Sequence, residues 1–246
     1  DNFGGSYFYK VTNGATMPSF INETGIQVSA IGNHEFDEGQ KKLSQKWNYQ
    51  SEDQQPCDFT YISANLRDSL GETPSYAKAY HTSEIKISDT KSFKISFIGL
   101  TTAATPQQTS LRHLQGLTFD ADYIKVIDSL KSTPEYQLIA PSIDATFIVG
   151  HIGAMRENGV PVWVDIANEQ LSQFTTNTAD GFFAAHTHDT LAGFINDNQL
   201  PIVQGGNNGR YIGIMKVKYD TLKNKLTKIT PELCPVRHHQ NTSSPT

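Results

Sequence analysis

The chain has 246 residues, 37% of them hydrophobic and 18% charged, with a net charge of −5 and a pI near 5.9. This composition excludes a disordered chain and suits one large α/β domain or two small ones. It also excludes a broad nucleic-acid surface, because no basic run occurs, and a transmembrane helix, because the longest apolar stretch, around Phe93–Leu100, is broken by Lys94 and Ser96.

Along the chain, Thr16 and Pro18 open a helix carrying Met17, Phe20 and Ile21, which Gly25 stops. A strand follows over Gln27–Ile31, then a polar loop. Asp37 to Trp47 reads as helical, with Leu43 and Trp47 four apart. Phe59–Ala64 is a strand; His81–Ser88 and Phe93–Leu100 form a hairpin turning at Asp89-Thr90. Thr101–Leu117 is a loop segment, and Ile124, Ile127 and Leu130 mark a helix over Ala121–Lys131. Next come a strand at Ala145–Val149, a helix at about Val164–Phe174, and short strands at Gly181–Ala184 and Pro201–Gln204. Tyr211–Tyr219 alternates, with Met215, Val217 and Tyr219 on one face, and turns near Lys223-Asn224 into Leu226–Ile229. From about Pro235 the tail is polar. No internal repeat or low-complexity linker interrupts this mixed α/β order, so residues 1–234 read as one domain and 235–246 as a tail.

The chemistry gathers at strand ends. Gly32-Asn33-His34-Glu35-Phe36-Asp37 places an amide, an imidazole and two carboxylates directly after one apolar run. Thr146–Gly150 leads to His151, and Phe182–Ala185 leads to His186-Thr187-His188. Each is an apolar strand, a small residue, then an imidazole. Neighbouring strands of one sheet bring such ends to one crevice. His186 and His188, two apart, point to the same side of an extended segment and can serve one metal or two adjacent metals. Imidazole, amide and carboxylate together favour Zn, Mn, Fe or Co over Ca or Mg. Glu35 reads either as a member of this site or as a structural carboxylate. His81, His113 and the tail pair His238-His239 lie in polar contexts and read as ordinary surface histidines. Cys57 and Cys234 allow one disulfide or two free thiols, and the sequons at Asn22 and Asn241 lean toward an extracytoplasmic protein.

These residues resemble the calcineurin-like metallophosphoesterases, and within them the 5'-nucleotidase family. The similarity runs through Gly32–Asp37, Asp37-Glu38-Gly39, Ile62–Leu66, Gly99–Thr102, His151–Gly153, Ala185–His188 and Gly209–Gly213, in the family's order and over nearly the whole chain. Asp1-Asn2-Phe3-Gly4-Gly5-Ser6 resembles the family's Gly-Asp-x-x-x-Gly-Ser loop without its leading glycine. The resemblance implies a four-layer αββα sandwich with a metal site at the C-terminal ends of the strands. It implies two divalent ions that hold a bridging water, activated as hydroxide for attack on a nucleotide phosphate ester. Asp1 would bridge the two ions; Asn33, His151 and His186 would complete one ion's shell, and His188 would join the other's. His34 would act on the leaving oxygen, oriented by Asp37. The family's Asp-x-His strand and its C-terminal substrate domain are expected partners outside these residues, which leaves one metal site incomplete and the substrate-binding residues unknown. Ala-Ala-His-Thr-His also departs from the family's usual Gly-Gly before the histidine. The alternative is a non-catalytic phosphatase-like module that binds a metal, a nucleotide or a protein.

Overall fold

The computed structural model describes residues 1–2, 7–12, 14, 17–47, 59–165, 168–197 and 199–236. Cys57 and the histidines of the tail lie outside the described residues. Helices α1 (Tyr7–Thr12) and α2 (Met17–Glu23) lead to strand β1 (Val28–Ala30), and α2 ends at Gly25, which takes φ +71°. A 3-10 turn over His34–Phe36 and helix α3 (Gln40–Trp47) follow, then β2 (Thr60–Ile62), which pairs parallel with β1. The short strand β3 (Leu66–Arg67) precedes the hairpin of β4 (Tyr80–Ser88) and β5 (Lys91–Thr101), turning at residues 89–90 as expected. Within the expected loop 101–117, the chain makes helix α4 (Thr105–Gln108) and a 3-10 turn at Leu111–His113; β6 (Thr118–Phe119) then closes on β3.

Helix α5 (Tyr123–Lys131) starts where Asp122 accepts the Lys125 N–H, and α6 (Pro134–Ile139) where Thr133 accepts the Tyr136 N–H. Strand β7 (Ala145–His151) is followed by a hairpin of β8 (Ala154–Glu157) and β9 (Val160–Trp163), then α7 (Asn168–Leu171). The expected helix over 164–174 is thus only this one turn. Strands β10 (Gly181–Phe183), β11 (Thr190–Ile195) and β12 (Leu200–Gly205) complete the main sheet, and β13 (Tyr211–Asp220) with β14 (Lys225–Pro235) forms a final hairpin.

The main sheet has six strands in the order β11-β12-β10-β7-β5-β4. Alternation along β5 builds two cores. Ile98 and Leu100 join Tyr123, Val126, Ile127 and Tyr136 of α5 and α6 on one face. Phe93 and Ile95 join Phe147, Ile229, Met215 and Val217 on the other, beneath the β13–β14 hairpin. A third core packs β1 and β2 against α2 and α3 through Ile21, Ile31, Leu43 and Tyr61. The β1–β2 ladder therefore lies outside the six-stranded sheet and belongs to a second β layer. At Gly99 the two layers touch backbone to backbone: the Ala64 N–H donates to Gly99 O at 2.7 Å, and a Cβ at Gly99 would lie 2.3 Å from the Ile62 carbonyl carbon.

Candidate functional site

The three strand ends do meet, although not by adjacency in one sheet. β7 and β10 are neighbours in register, Phe182 opposite Ile148. β1 reaches the same place from the second layer, its exit tied down when Thr101 Oγ1 donates to Ile31 O at 2.9 Å.

His151 ends β7 and is buried. Three groups converge on its Nε2: Asp1 Oδ2 at 3.0 Å, Asn33 Oδ1 at 3.1 Å and His186 Nδ1 at 3.1 Å. The His151 and His186 rings lie edge to face, with centroids 4.9 Å apart. Burial pushes the His151 imidazole down to about 3; burial and then His151 push His186 down to about 4. Both rings are accordingly neutral near pH 7, the form that binds metals.

The sequence makes room for this packing. A Cβ at Gly32 would lie 2.1 Å from Asp1 Oδ1, so only glycine allows the Asp1 carboxylate to settle over the loop. That oxygen accepts the His34 N–H at 3.1 Å. Glu35 is the structural carboxylate of the two readings. Buried, it accepts the Gly32 N–H at 2.6 Å and the Asn2 N–H, pinning the Asp1 segment to the loop. Burial raises its carboxyl, and the two backbone N–H groups and His151 work against that.

His34 and Asp37 point elsewhere. They form an exposed pair with His34 Nδ1 2.7 Å from Asp37 Oδ2, which leaves the other ring nitrogen for a ligand. His186 and His188 occupy left-handed backbone, at φ +83° and +61°. Such a conformation is costly for residues other than glycine and persists where the surroundings enforce it. Here Gln204, buried on β12, donates to Thr187 Oγ1 at 2.7 Å and to Asp189 O at 2.9 Å, and Thr187 Oγ1 donates to Ala154 O. The turn departs from the extended form that would have aligned the two rings. His188 makes no hydrogen bond to another described member of the site.

Among the described residues, no group of three or more His, Cys, Asp or Glu is laid out as a metal cage. The three groups around His151 Nε2 include an amide and sit directly against that nitrogen. Their donor chemistry nevertheless fits a cation. One imidazole nitrogen carries a single hydrogen or a single lone pair, so it cannot satisfy two acceptor oxygens and a third ring nitrogen together. Ligand atoms about 2.1 Å from one ion lie roughly 3.0–3.4 Å from each other, and the three distances to His151 Nε2 fall in that range.

Two contributors were not expected from the sequence. Gln204 is a lone polar residue closing an apolar strand, a signal that could have been weighed. Gln108, whose Nε2 is 3.0 Å from His186 Nε2, carries no local signal at all.

No family model matches the chain. It is 24% identical over 229 residues to a 5'-nucleotidase of Diplobatis ommata, covering 89% of this chain and 37% of that protein. It is 25% identical over 230 residues to a 5'-nucleotidase of Bos taurus, covering 92% of this chain and 38% of that one. The chain thus spans less than two fifths of these curated relatives. Among solved structures, the calcineurin-like phosphoesterase YfkN of Bacillus subtilis superposes with a TM-score of 0.69 at 18% identity, covering 89% of this chain and 66% of that one. Its phosphoesterase fold has the mixed α/β order and central sheet described above. On relatives and fold together, the chain is similar to 5'-nucleotidases in sequence and shares the fold of a calcineurin-like phosphoesterase.

Proposed function

We propose that this chain is the catalytic domain of a metal-dependent phosphoesterase that hydrolyses nucleotide phosphate esters. The observation that carries the reading is the convergence of Asp1, Asn33 and His186 on His151 Nε2 within 3.1 Å. Asp1, Asn33, His151 and His186 would hold one divalent ion, with Zn, Mn, Fe or Co suited to the donor set. Asp1 and His188 would contribute to a second, its remaining ligands coming from an Asp-x-His segment outside these residues. Such ions, when bound, supply Lewis acidity toward a phosphoryl oxygen and make a bound water more acidic.

The remaining work falls to the chain's own side chains. Asp37 holds His34 by its Nδ1, so Nε2 faces outward toward an ester. In hydrolysis a bond forms between a water oxygen and phosphorus, the ester P–O bond breaks, and His34 passes a proton to the departing oxygen. Glu35 and Thr109 steady the loop; Thr109 Oγ1 donates to Asn33 O at 3.1 Å, which keeps the Asn33 amide turned toward His151.

The test is phosphate release from a panel of 5'-nucleotides with Zn2+ or Mn2+ added, using the chain and a longer form that includes flanking segments. Metal-dependent release by either supports the reading, and release by neither overturns it. The non-catalytic module is favoured by one observation, that His188 makes no hydrogen bond to another described member of the site; binding of nucleotide without turnover in both forms would establish it. We also propose an extracytoplasmic location from the sequons at Asn22 and Asn241. A mass shift on glycosidase treatment of the protein from its source would support it.

A further inference from the structure

We propose that the Gln108 carboxamide is a positioning group that selects the ring tautomer of His186, and that it turns over by half a rotation when a metal binds. This rests on the reading of His186 as a metal ligand.

Gln108 ends α4 and is exposed, with its Nε2 3.0 Å from His186 Nε2. A carboxamide nitrogen only donates. His186 Nε2 therefore accepts, and the ring hydrogen sits on Nδ1, where it faces His151 Nε2 at 3.1 Å. In this tautomer Nδ1 has no lone pair to give. Yet Nδ1 is the atom that enters the cluster with Asp1 Oδ2 and Asn33 Oδ1. To ligate, the ring must move its hydrogen to Nε2, and that hydrogen then needs an acceptor, as the outer nitrogen of a metal-bound histidine does. The same carboxamide provides one. A half-turn about its terminal bond exchanges Oε1 for Nε2 at the same reach, with no movement of the backbone.

The placement of Gln108 is not left to chance. The first residue of α4, Thr105, is buried and donates through both N–H and Oγ1 to Thr102 O, at 3.1 and 2.7 Å. Thr102 N–H in turn donates to His151 O at 3.0 Å. The loop bearing Gln108 is thus fastened to the backbone of the histidine that His186 faces. Among side chains of this length, glutamine both donates and accepts; glutamate only accepts, lysine only donates, and leucine does neither.

The experiment compares the full chain with its Gln108→Glu, Gln108→Lys and Gln108→Leu variants, using Zn2+ alone as the probe. In the metal-free parent, 15N-resolved NMR of the imidazole nitrogens is expected to find the His186 hydrogen on Nδ1, a preference that Gln108→Leu loses. Calorimetric titration is expected to find Zn2+ bound about 10- to 100-fold more weakly by Gln108→Leu and Gln108→Lys, and undiminished in Gln108→Glu. Melting temperatures of the metal-free variants should match the parent, because residue 108 is exposed. Zn2+ affinities within about twofold across all four proteins, or one His186 tautomer in parent and Gln108→Leu alike, would overturn the proposal. A parent chain that takes up no Zn2+ would remove the metal-ligand reading and this one with it, whereas Zn2+ binding indifferent to residue 108 would remove this one alone.

Discussion

His151 faces a conflict that a single imidazole cannot resolve, with two oxygens and a nitrogen all directed at one ring nitrogen. That conflict separates the roles of the loop Gly32–Asp37. Asn33 faces His151, which His186 also meets, whereas His34 faces solvent with Asp37 beside it. The expected outcome for His34→Ala is a fall in kcat of about 100- to 10,000-fold with metal content unchanged, measured by initial rates and by elemental analysis of the same samples. For Asn33→Ala and His186→Ala the metal content itself should fall. Acid should reveal the His151–His186 pair as well. The His151 and His186 imidazoles sit below their ordinary values, so the native state binds fewer protons than the unfolded chain below about pH 6.5. Their contribution to stability is complete above that pH and is lost as the pH falls toward 4 and 3. Melting of the metal-free protein from pH 7 to 4 should therefore be steeper than that of His151→Gln, and parallel curves would contradict the assignment.

At the level of elements, close approach decides more than propensity. β5 and β2 meet at Gly99 with no space for a side chain, and this contact holds the layer bearing Asn33 against the layer bearing His151. Gly99→Ala forces backbone apart and is expected to cost about 2–3 kcal/mol in urea unfolding. The hairpin β8–β9 and helix α6 went unpredicted for a related reason. Their residues carry little periodic signal, and they form because neighbours cover them: Ala154 and Trp163 pack in the core that α5, α6 and β7 share. The helix expected over 164–174 shrank to a single turn. Phe174 nevertheless remains buried in that core, so its apolar spacing reports burial rather than helix.

Over the whole molecule, the β13–β14 hairpin completes the far core. Met215, Val217 and Tyr219 share one face, as their alternation implied, and lie over Phe147 and Phe183. Phe147→Ala removes a buried ring between the layers and is expected to cost about 3–5 kcal/mol by calorimetry or denaturant unfolding. The order of apolar runs pointed by itself to an α/β sheet protein, and the strand-end pattern to Asn33, His34, Asp37, His151, His186 and His188 as candidates, because strand ends and turn residues are local signals; Asp1 entered only through the family resemblance. Which of these groups touch was decided only by the tertiary structure. Partners such as Gln108 and His186, 78 residues apart in sequence, are joined by no periodicity. The role of Glu35, the separation of β1 from the main sheet and the left-handed turn at His186 all depend on how two layers close on each other, and that closure is a property of packing rather than of any single segment.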